Sequence, residues 1–357
     1  MKQKAITLLD VAREAGVSRA TVARVLNATG YVGEETRIKV EAAARATGYR
    51  PNVMARSLRT HRSFTIGHIL LEITTNPFFA HVARAVEGEA LGNGYKAFLF
   101  NHHGNKDDER FGVERFIERQ VDAVIFTYPI DSDSIALLRA AEMPVVQIER
   151  QQTADTDAVL VDNPLGVELA MRHLIELGHR RIAFIGGDPA LYPYSGVQPR
   201  SIEEERLDTY VACLRFAGIS VDPDLIRLGR YVHIDGGSNI EGYRHAQALL
   251  ALRDPPTAIF AACDILAAGV FRAAYEARLR IPDDLSVVGF DDTLGAHLAP
   301  RLTSVAQPMA ELGLTAFQLA LGAIENKGLA PRVVTLAPHL VIRESTGPAA
   351  PAPKARS

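Results

Sequence analysis

The chain has 357 residues, 47% of them hydrophobic and 23% charged, which is ordinary globular composition. At roughly 100–200 residues per domain it is long enough for two or three domains. Its formal charge of −3 argues for neither a nucleic-acid binder nor an acidic tail. No run approaches ~18 consecutive apolar residues, which argues against a membrane helix. The two cysteines, Cys213 and Cys263, can build neither a disulfide framework nor a four-ligand zinc site, and their apolar settings suit inert thiols.

The total charge conceals a partition. Residues 1–62 hold 12 Lys/Arg against five acids, a charge of +7, and the remainder carries 27 Lys/Arg against 37 acids, a charge of −10. A basic segment on an acidic protein is the mark of a nucleic-acid-binding module.

The opening segment, MKQKAITLLDVAREAGVS, lacks the apolar run of a secretory signal because Asp10, Arg13 and Glu14 interrupt it. A cytoplasmic location with no membrane partner is therefore expected. Residues 1–50 read as short helices broken at Gly16, Gly30, Gly33 and Gly48. Thr7 is placed to cap a helix carrying Leu8, Val11, Ala12 and Ala15 at helical spacing. Gly16 makes the turn, Val17 packs into it and Ser18 caps the next helix, which is helix-turn-helix spacing. At about 100° per residue, Val22, Val25 and Leu26 form the apolar face of that second helix. Ala20, Ala23, Arg24 and Asn27 share the outward face. Arg pairs bidentately with guanine and Asn with adenine, each worth ~1–3 kcal/mol of discrimination. The local charge adds attraction to phosphates. The candidate DNA contacts here are Thr7, Ser18, Arg19, Ala20, Thr21, Arg24 and Asn27.

Residues 51–62 (PNVMARSLRTHR) form a basic connector with one helix-sized stretch. From Ser63 onward, short β-branched or aromatic runs alternate with helical patterns, the signature of βαβ units. Strands are predicted at 64–71, 96–100, 123–126, 145–148, 159–161, 182–185, 225–229, 258–260 and 287–290. Helices are predicted at 77–91, 109–119, 134–140, 164–177, 202–217, 239–250 and 265–277, with Gly94, Gly178 and Gly218 at helix ends. So many units fit two doubly wound lobes better than one. The Pro/Ala-rich end, GPAAPAPKARS, reads as a disordered tail without heptads.

Several chemistries are set aside. Gly92-x-Gly94-x-x-Ala97 leads from a helix into a strand, the reverse of the order phosphate binding needs. His102-His103 with Asp107-Asp108 matches no standard metal spacing. No nucleophile elbow or phosphate-binding loop is present, so neither catalysis, a metal nor a cofactor is expected.

The ordered succession Thr7–Asn27, Thr36-Arg37, Gly48-Tyr49-Arg50-Pro51-Asn52 and Ala55-Arg56-Ser57-Leu58-Arg59 resembles the lactose/galactose-repressor (LacI/GalR) family of bacterial transcription regulators. The likeness runs over about residues 5–345. It implies an α/β protein: an N-terminal all-α helix-turn-helix head plus a two-lobed periplasmic-binding-protein-like core of doubly wound parallel sheets. The head would be 1–50 and the hinge helix and linker 51–62. An effector-binding and dimerisation core would span 63–345, with a disordered tail at 346–357. Lobe 1 would hold about 63–160 and 292–325, and lobe 2 about 161–291 and 326–345. The resemblance places Asn52, Ala55, Arg56 and Leu58 on the hinge, with Leu58 as the wedge between base steps at the operator centre.

For the core the resemblance implies effector contacts from Asn76, Phe78, Phe79, Glu149, Arg150, Asp162, Arg206, Tyr231, Asp264 and Asp291. Such residues at the carboxyl ends of strands suit ligand binding in open α/β sheets. Phe78 and Phe79 could equally be helix-start packing, and Asp162 a helix N-cap. The segment Tyr192-Pro193-Tyr194 could be a specificity loop or an exposed turn. This chain departs from the family pattern at Ala23 (usually Ser), Glu149 (commonly Asp), Thr209 (usually a small residue) and Cys263 (commonly Asn or Ala). Arg, carboxylates and amides flanked by aromatics suit polyhydroxyl recognition. The expected function is that of a homodimeric, effector-controlled regulator, a repressor of a carbohydrate-utilisation operon. Its partners would be pseudo-palindromic double-stranded operator DNA and a sugar-like small molecule. The alternatives are a regulator responding to a nucleoside or purine, and a solute receptor that binds no DNA.

Overall fold

The computed structural model describes residues 6–26, 30–49, 62–74, 76–191, 196–197, 199–231, 240–326 and 328–349. The expectations for Asn27, Asn52, Ala55, Arg56, Leu58, the hinge helix, the 192–194 segment and residues 350–357 of the tail lie outside these residues. Residues 346–349, expected in the disordered tail, are instead held in place, Gly347 N–H donating to Ser286 Oγ and Ala349 N–H to the Leu177 carbonyl. The chain divides into two compact units, Met1–Ser63 and Phe64–Ser357.

The first unit has three helices: α1 (Leu8–Ala15), α2 (Arg19–Leu26) and α3 (Glu34–Thr47). Asp10 accepts hydrogen bonds from the Thr7 N–H (2.8 Å) and hydroxyl (2.7 Å), fixing the first turn of α1. Gly16, at φ 66°, ends it in the left-handed conformation that favours glycine. The Ser18 hydroxyl accepts from the Thr21 N–H at 3.1 Å and so caps α2. Val11, Ala12, Val22, Val40 and Ala43 form the core, with Val25 and Leu26 packed against it. The apolar face expected of α2 is the buried one.

The second unit holds two six-stranded sheets. The first runs through β1 (Thr65–Leu70), β2 (Lys96–Asn101), β3 (Ala123–Thr127), β4 (Val145–Ile148), β5 (Asp157–Val161) and β11 (Val333–Leu336). Its order is β11-β5-β4-β3-β1-β2 and every pairing is parallel. The second contains β6 (Ile182–Gly187), β7 (Ile226–Gly229), β8 (Ala258–Ala261), β9 (Ser286–Asp291), β10 (Thr303–Ala306) and β12 (His339–Val341). Its order is β12-β10-β9-β8-β6-β7, parallel except where β12 meets β10. Each sheet reverses its winding beside its first strand, between β1 and β3 and between β6 and β8. Such switch points open a crevice at the carboxyl ends of strands.

Helices cover both faces of each sheet. Helices α4 (Pro77–Gly92) and α11 (Met309–Glu325) share one face of the first with Ile66, Leu70 and Ile125. On its other face α5 (Lys106–Glu118) and α6 (Ser132–Ala140) pack against Ile69, Val124 and Phe126. The second sheet lies between α9 (Ile240–Leu250) with α10 (Asp264–Glu276), and α7 (Asn163–Glu176) with α8 (Ile202–Phe216). The chain therefore crosses between lobes three times, near 162, 307 and 337. This differs from the boundaries expected from sequence. Thr303–Ala306 belongs to the second lobe and Val333–Leu336 to the first, because β10 pairs with β9 and β11 with β5. The helix α11 and the three strands β10, β11 and β12 were absent from the sequence expectations. In α11, Leu312, Leu314, Ala316, Phe317, Leu319, Ala320 and Leu321 make the segment apolar nearly all round, which erases the one-face periodicity of an amphipathic helix.

Candidate functional site

Along α2 of the first unit, Ser18, Arg19, Ala20 and Arg24 are exposed and Thr21 is half-buried. Thr7 is exposed at the start of α1, its hydroxyl held by Asp10. A short helix thus presents two guanidinium groups beside small residues on its free face, the chemistry that enters a major groove.

In the second unit a cavity of about 230 Å³ lies between the two lobes. The first lobe contributes Leu71, Glu72, Asn76, Phe78, Phe79, His103, Lys106, Tyr128, Ile130, Glu149 and Arg150. The second contributes Leu191, Ile202, Glu203, Arg206, Arg230, Tyr231, Cys263 and Asp291, and Gln307 comes from the second crossing. Most of these residues follow a strand end, so the two switch points face each other across one space.

Local structure explains each placement. Asn76 caps α4, its side chain accepting from Phe78 N–H (3.0 Å), with Pro77 as the first helical residue. Phe78 and Phe79 are buried, stacked edge-to-face at 5.4 Å, and Phe79 meets Tyr128 edge-on at 6.3 Å. They pack the start of α4 and line the cavity together. Arg206 and Glu203 lie one turn apart on α8, whose start is fixed by Ser201 and Glu204 in a reciprocal capping box. Gly187 ends β6 where a Cβ would come within 2.6 Å of the Tyr231 ring and 2.8 Å of Glu203, so only glycine admits both side chains there.

Polar links join the lobes around the cavity. Arg150 donates to Glu203 at 2.8 Å and to the Tyr128 hydroxyl, which itself donates to Glu203 at 2.9 Å. Arg150 and Glu203 are almost fully buried, so each would be costly without the other. Asp291 accepts from the Gln307 amide (2.7 Å) and, across the cleft, from the Asn76 amide (3.1 Å). Burial pushes its carboxyl up to about 6 despite the opposing charge of Arg206. Arg206 donates to Asn163 Oδ1 (2.9 Å) and the Ala262 carbonyl (2.7 Å), and its guanidinium lies 3.9 Å from the Phe290 ring centroid. Burial opposes its charge, but neighbouring groups, Tyr231 and Asp291 foremost, keep its affinity for the proton raised. Glu149 sits at φ 72° and Asp291 at φ 106°, conformations L-residues adopt rarely and which cluster at functional sites.

Eight of the expected effector residues meet at this cavity: Asn76, Phe78, Phe79, Glu149, Arg150, Arg206, Tyr231 and Asp291. Two do not reach it. Asp162 is the N-cap of α7, accepting from the Leu165 N–H at 2.9 Å, the helix-cap alternative open at the sequence level. Asp264 is buried behind the wall, accepting from Ser304 Oγ (2.6 Å) and the Leu294 N–H (2.9 Å), and burial raises its carboxyl to about 7. Its neighbour Cys263 reaches the cavity instead. Sequence reasoning missed Tyr128, Glu203 and Gln307. Tyr128 directly follows β3 and was open to the strand-end rule. Glu203 precedes Arg206 by three residues and shares its helical face. Gln307 follows β10, a strand the sequence did not disclose. Among the described residues no cluster of His, Cys, Asp or Glu is arranged to hold a metal, and no helix is long and apolar enough to cross a membrane.

Comparison with known proteins bears on both units. Residues 7–52 match the family model described as bacterial regulatory proteins, lacI family, and residues 171–346 match a periplasmic binding protein-like domain. The HTH-type transcriptional repressor PurR of Photobacterium profundum is 35% identical over 344 residues, covering 95% of this chain and 98% of that protein. The ribose operon repressor of Escherichia coli K12 is 33% identical over 343 residues, covering 95% and 99%. A crystal structure of the lac repressor dimer bound to operator and the anti-inducer ONPF superposes with a TM-score of 0.78 at 28% identity, covering 96% of this chain and 100% of that one. A basic helix-turn-helix head, a ligand-sized cavity between doubly wound lobes and likeness along nearly the whole chain converge: the chain belongs to the lacI family of bacterial regulatory proteins, as a sequence-specific DNA-binding transcriptional regulator under small-molecule control.

Proposed function

We propose that this regulator is a homodimeric repressor of a carbohydrate-utilisation operon, acting in the cytoplasm, and that its effector is a compact sugar-like molecule held between the lobes. The observation that carries the reading is the cavity itself. Its volume of about 230 Å³ is below the roughly 300–1,000 Å³ usual for drug-sized ligands, which favours a small polyol. Carboxylates of Glu149 and Asp291 accept from hydroxyls, Arg206 donates to them, and Phe78, Tyr128 and Tyr231 cover C–H faces. Ser18, Arg19, Ala20, Thr21 and Arg24 are the proposed DNA contacts of α2, with Thr7 beside the phosphates. No catalytic step is assigned to any residue.

Effector control follows from the cross-lobe links. A ligand that contacts both lobes binds one lobe arrangement more tightly than another, and only that difference shifts operator affinity. About 1–3 kcal/mol of coupling is enough for useful regulation. A thermal-shift screen of sugars, sugar acids and nucleosides identifies the class, since a ligand raises stability by RT ln(1 + [L]/Kd). An operator-shift assay with the hit then tests the site: Arg206→Ala should lose the effector response and keep operator binding. An intact response in Arg206→Ala would sink the cavity assignment. The aromatic lining also suits a purine ring, and the nucleoside arm of the screen decides that reading.

A further inference from the structure

The charged groups of the cavity are unequally provided for. Arg150 and Glu203 satisfy each other, with Tyr128 completing the set. Arg206 has two neutral acceptors and the face of Phe290. Asp291 has two amide donors. Among the described carboxylates of the cavity Glu149 is the exception. Among the described residues its carboxylate has no hydrogen-bond donor and no ion pair within 4.0 Å, although Oε1 is shut off from solvent. Glu149 is half-buried at the cavity wall, and a carboxylate oxygen shut off from solvent without a donor loses hydration with no bond of the chain to replace it. The fold also holds this residue at φ 72°, a strained conformation that keeps it at the cavity wall.

From this imbalance we infer that the effector carries a protonated amine set against Glu149, making it an aminated polyhydroxyl compound, an amino sugar in chemical class, rather than a neutral or acidic sugar. The inference rests on the reading of the cavity as the effector site. An ammonium group offers three donors and a positive charge where the chain gives Glu149 no donor, whereas a hydroxyl offers one donor and no charge. Of the cations that line the cavity, Arg150 is bonded to Glu203, Arg206 is held by acceptors of the chain and a ring face, Lys106 lies 3.4 Å from Asp131, and Arg230 is exposed to solvent. The aromatic rings of Phe78, Phe79 and Tyr128 supply low-dielectric walls in which an ammonium–carboxylate contact gains strength.

The groups that face Glu149 are Arg206 and Glu203 from α8, Asp291 from the end of β9, and its neighbour Arg150. Burial outweighs the two cations and holds the Glu149 carboxyl up at about 7, so in the free protein it is mostly protonated near pH 6 and ionises as pH passes neutrality. A cationic ligand requires the ionised form. Its affinity must therefore rise as pH increases from about 5.5 to 7, and Asp291, raised to about 6, acts in the same direction. A neutral ligand that accepts a hydrogen bond from protonated Glu149 shows the opposite trend.

The test is calorimetry on the full-length protein with glucosamine, galactosamine and 6-amino-6-deoxyglucose, each paired with its parent hexose. At least one amine should bind about tenfold or more tightly than its parent, with affinity increasing over that pH range. In Glu149→Gln, which keeps the size and removes the charge, that ratio should fall to about one and the pH trend should flatten. Thermal melting of the variant verifies that it is folded. Parent hexoses that bind as tightly as the amines, or no binding by any amine, overturn the inference. If hexose binding is then lost in Arg206→Ala, the cavity remains the effector site and only the amine is wrong. Ligand binding that neither Glu149→Gln nor Arg206→Ala alters places the effector elsewhere and overturns both readings.

Discussion

Asp264 shows at the scale of one residue why chemistry-bearing side chains are not always ligand contacts. Its carboxyl is used by the protein itself, between Ser304 Oγ and the Leu294 N–H, and burial followed by the charge of Asp291 raises it to about 7. An unfolded aspartate titrates near 3.9. Between those values the native state holds a proton that the unfolded chain has lost, so this group lowers stability as pH rises from about 4 to 7. Asn at this position keeps both partners without a titrating group, Oδ1 accepting from the Leu294 N–H and Nδ2 donating to Ser304 Oγ, the reverse of the bond Asp264 accepts there. Asp264→Asn is therefore expected to gain on the parent by on the order of 2 kcal/mol between about pH 5 and 7, as read from urea unfolding at both values. Parallel pH dependences would show that Asp264 is ionised in the fold. The sequence disclosed Arg206, Glu149 and Asp291 because each follows a recognisable strand or helix signal. It could not separate them from Asp162 and Asp264, since whether a carboxylate caps a helix, bonds behind a wall or faces a cavity depends on partners 3 to 40 residues distant.

Among elements, α2 is the clearest case of local sequence dictating structure and use. Ser18 caps it, Val22 anchors it in the core, and the opposite face leaves Arg19, Ala20 and Arg24 in solvent. Removing one bidentate base contact costs about 1–3 kcal/mol, so Arg24→Ala should weaken operator binding by roughly 5- to 150-fold and relax discrimination at one base position. A mobility-shift series against single-base operator variants measures both effects. A uniform loss across all variants would instead make Arg24 a phosphate contact, with a salt slope reduced by about one. By contrast, α11 was invisible to periodicity because its apolar residues extend beyond the face buried against α4 and the first sheet, to half-buried Leu314 and Leu321. The strands β10 and β11 were hidden because Thr303–Ala306 mixes polar with small residues and Val333–Leu336 follows Arg332 and contains Thr335. Neither is a distinct apolar run, and sheet membership is a non-local choice.

At the scale of the whole molecule, the first sheet ends in β2, whose outer side leaves Phe98 and Leu99 42% and 46% exposed. Leu91 on the neighbouring α4 is exposed as well. Apolar side chains along an unpaired sheet edge suit coverage by a second copy of the chain. A dimeric reader of a two-fold operator needs that pairing, because two heads at fixed spacing bind far more tightly than one. Leu99→Glu places a charge in such a surface. It should shift the protein toward monomer in sedimentation and weaken operator binding tenfold or more, with effector binding retained. A variant that stays dimeric would place the interface on another face.

The sequence by itself determined the parts that depend on neighbours along the chain. These are the helix-turn-helix with its caps and outward arginines, the alternation that makes α/β lobes, and the +7 and −10 division of charge hidden in a total of −3. Tertiary structure decided what depends on distant partners. It placed β10 and β11 in their sheets, sent Asp162 and Asp264 to structural duties, and brought Tyr128, Glu203 and Gln307 to the cavity. It also left Glu149, at the cavity wall, without a hydrogen-bond donor among the described residues. Caps and periodicity act over three or four residues, whereas pairing and desolvation are settled only when segments a hundred residues apart share one low-dielectric space.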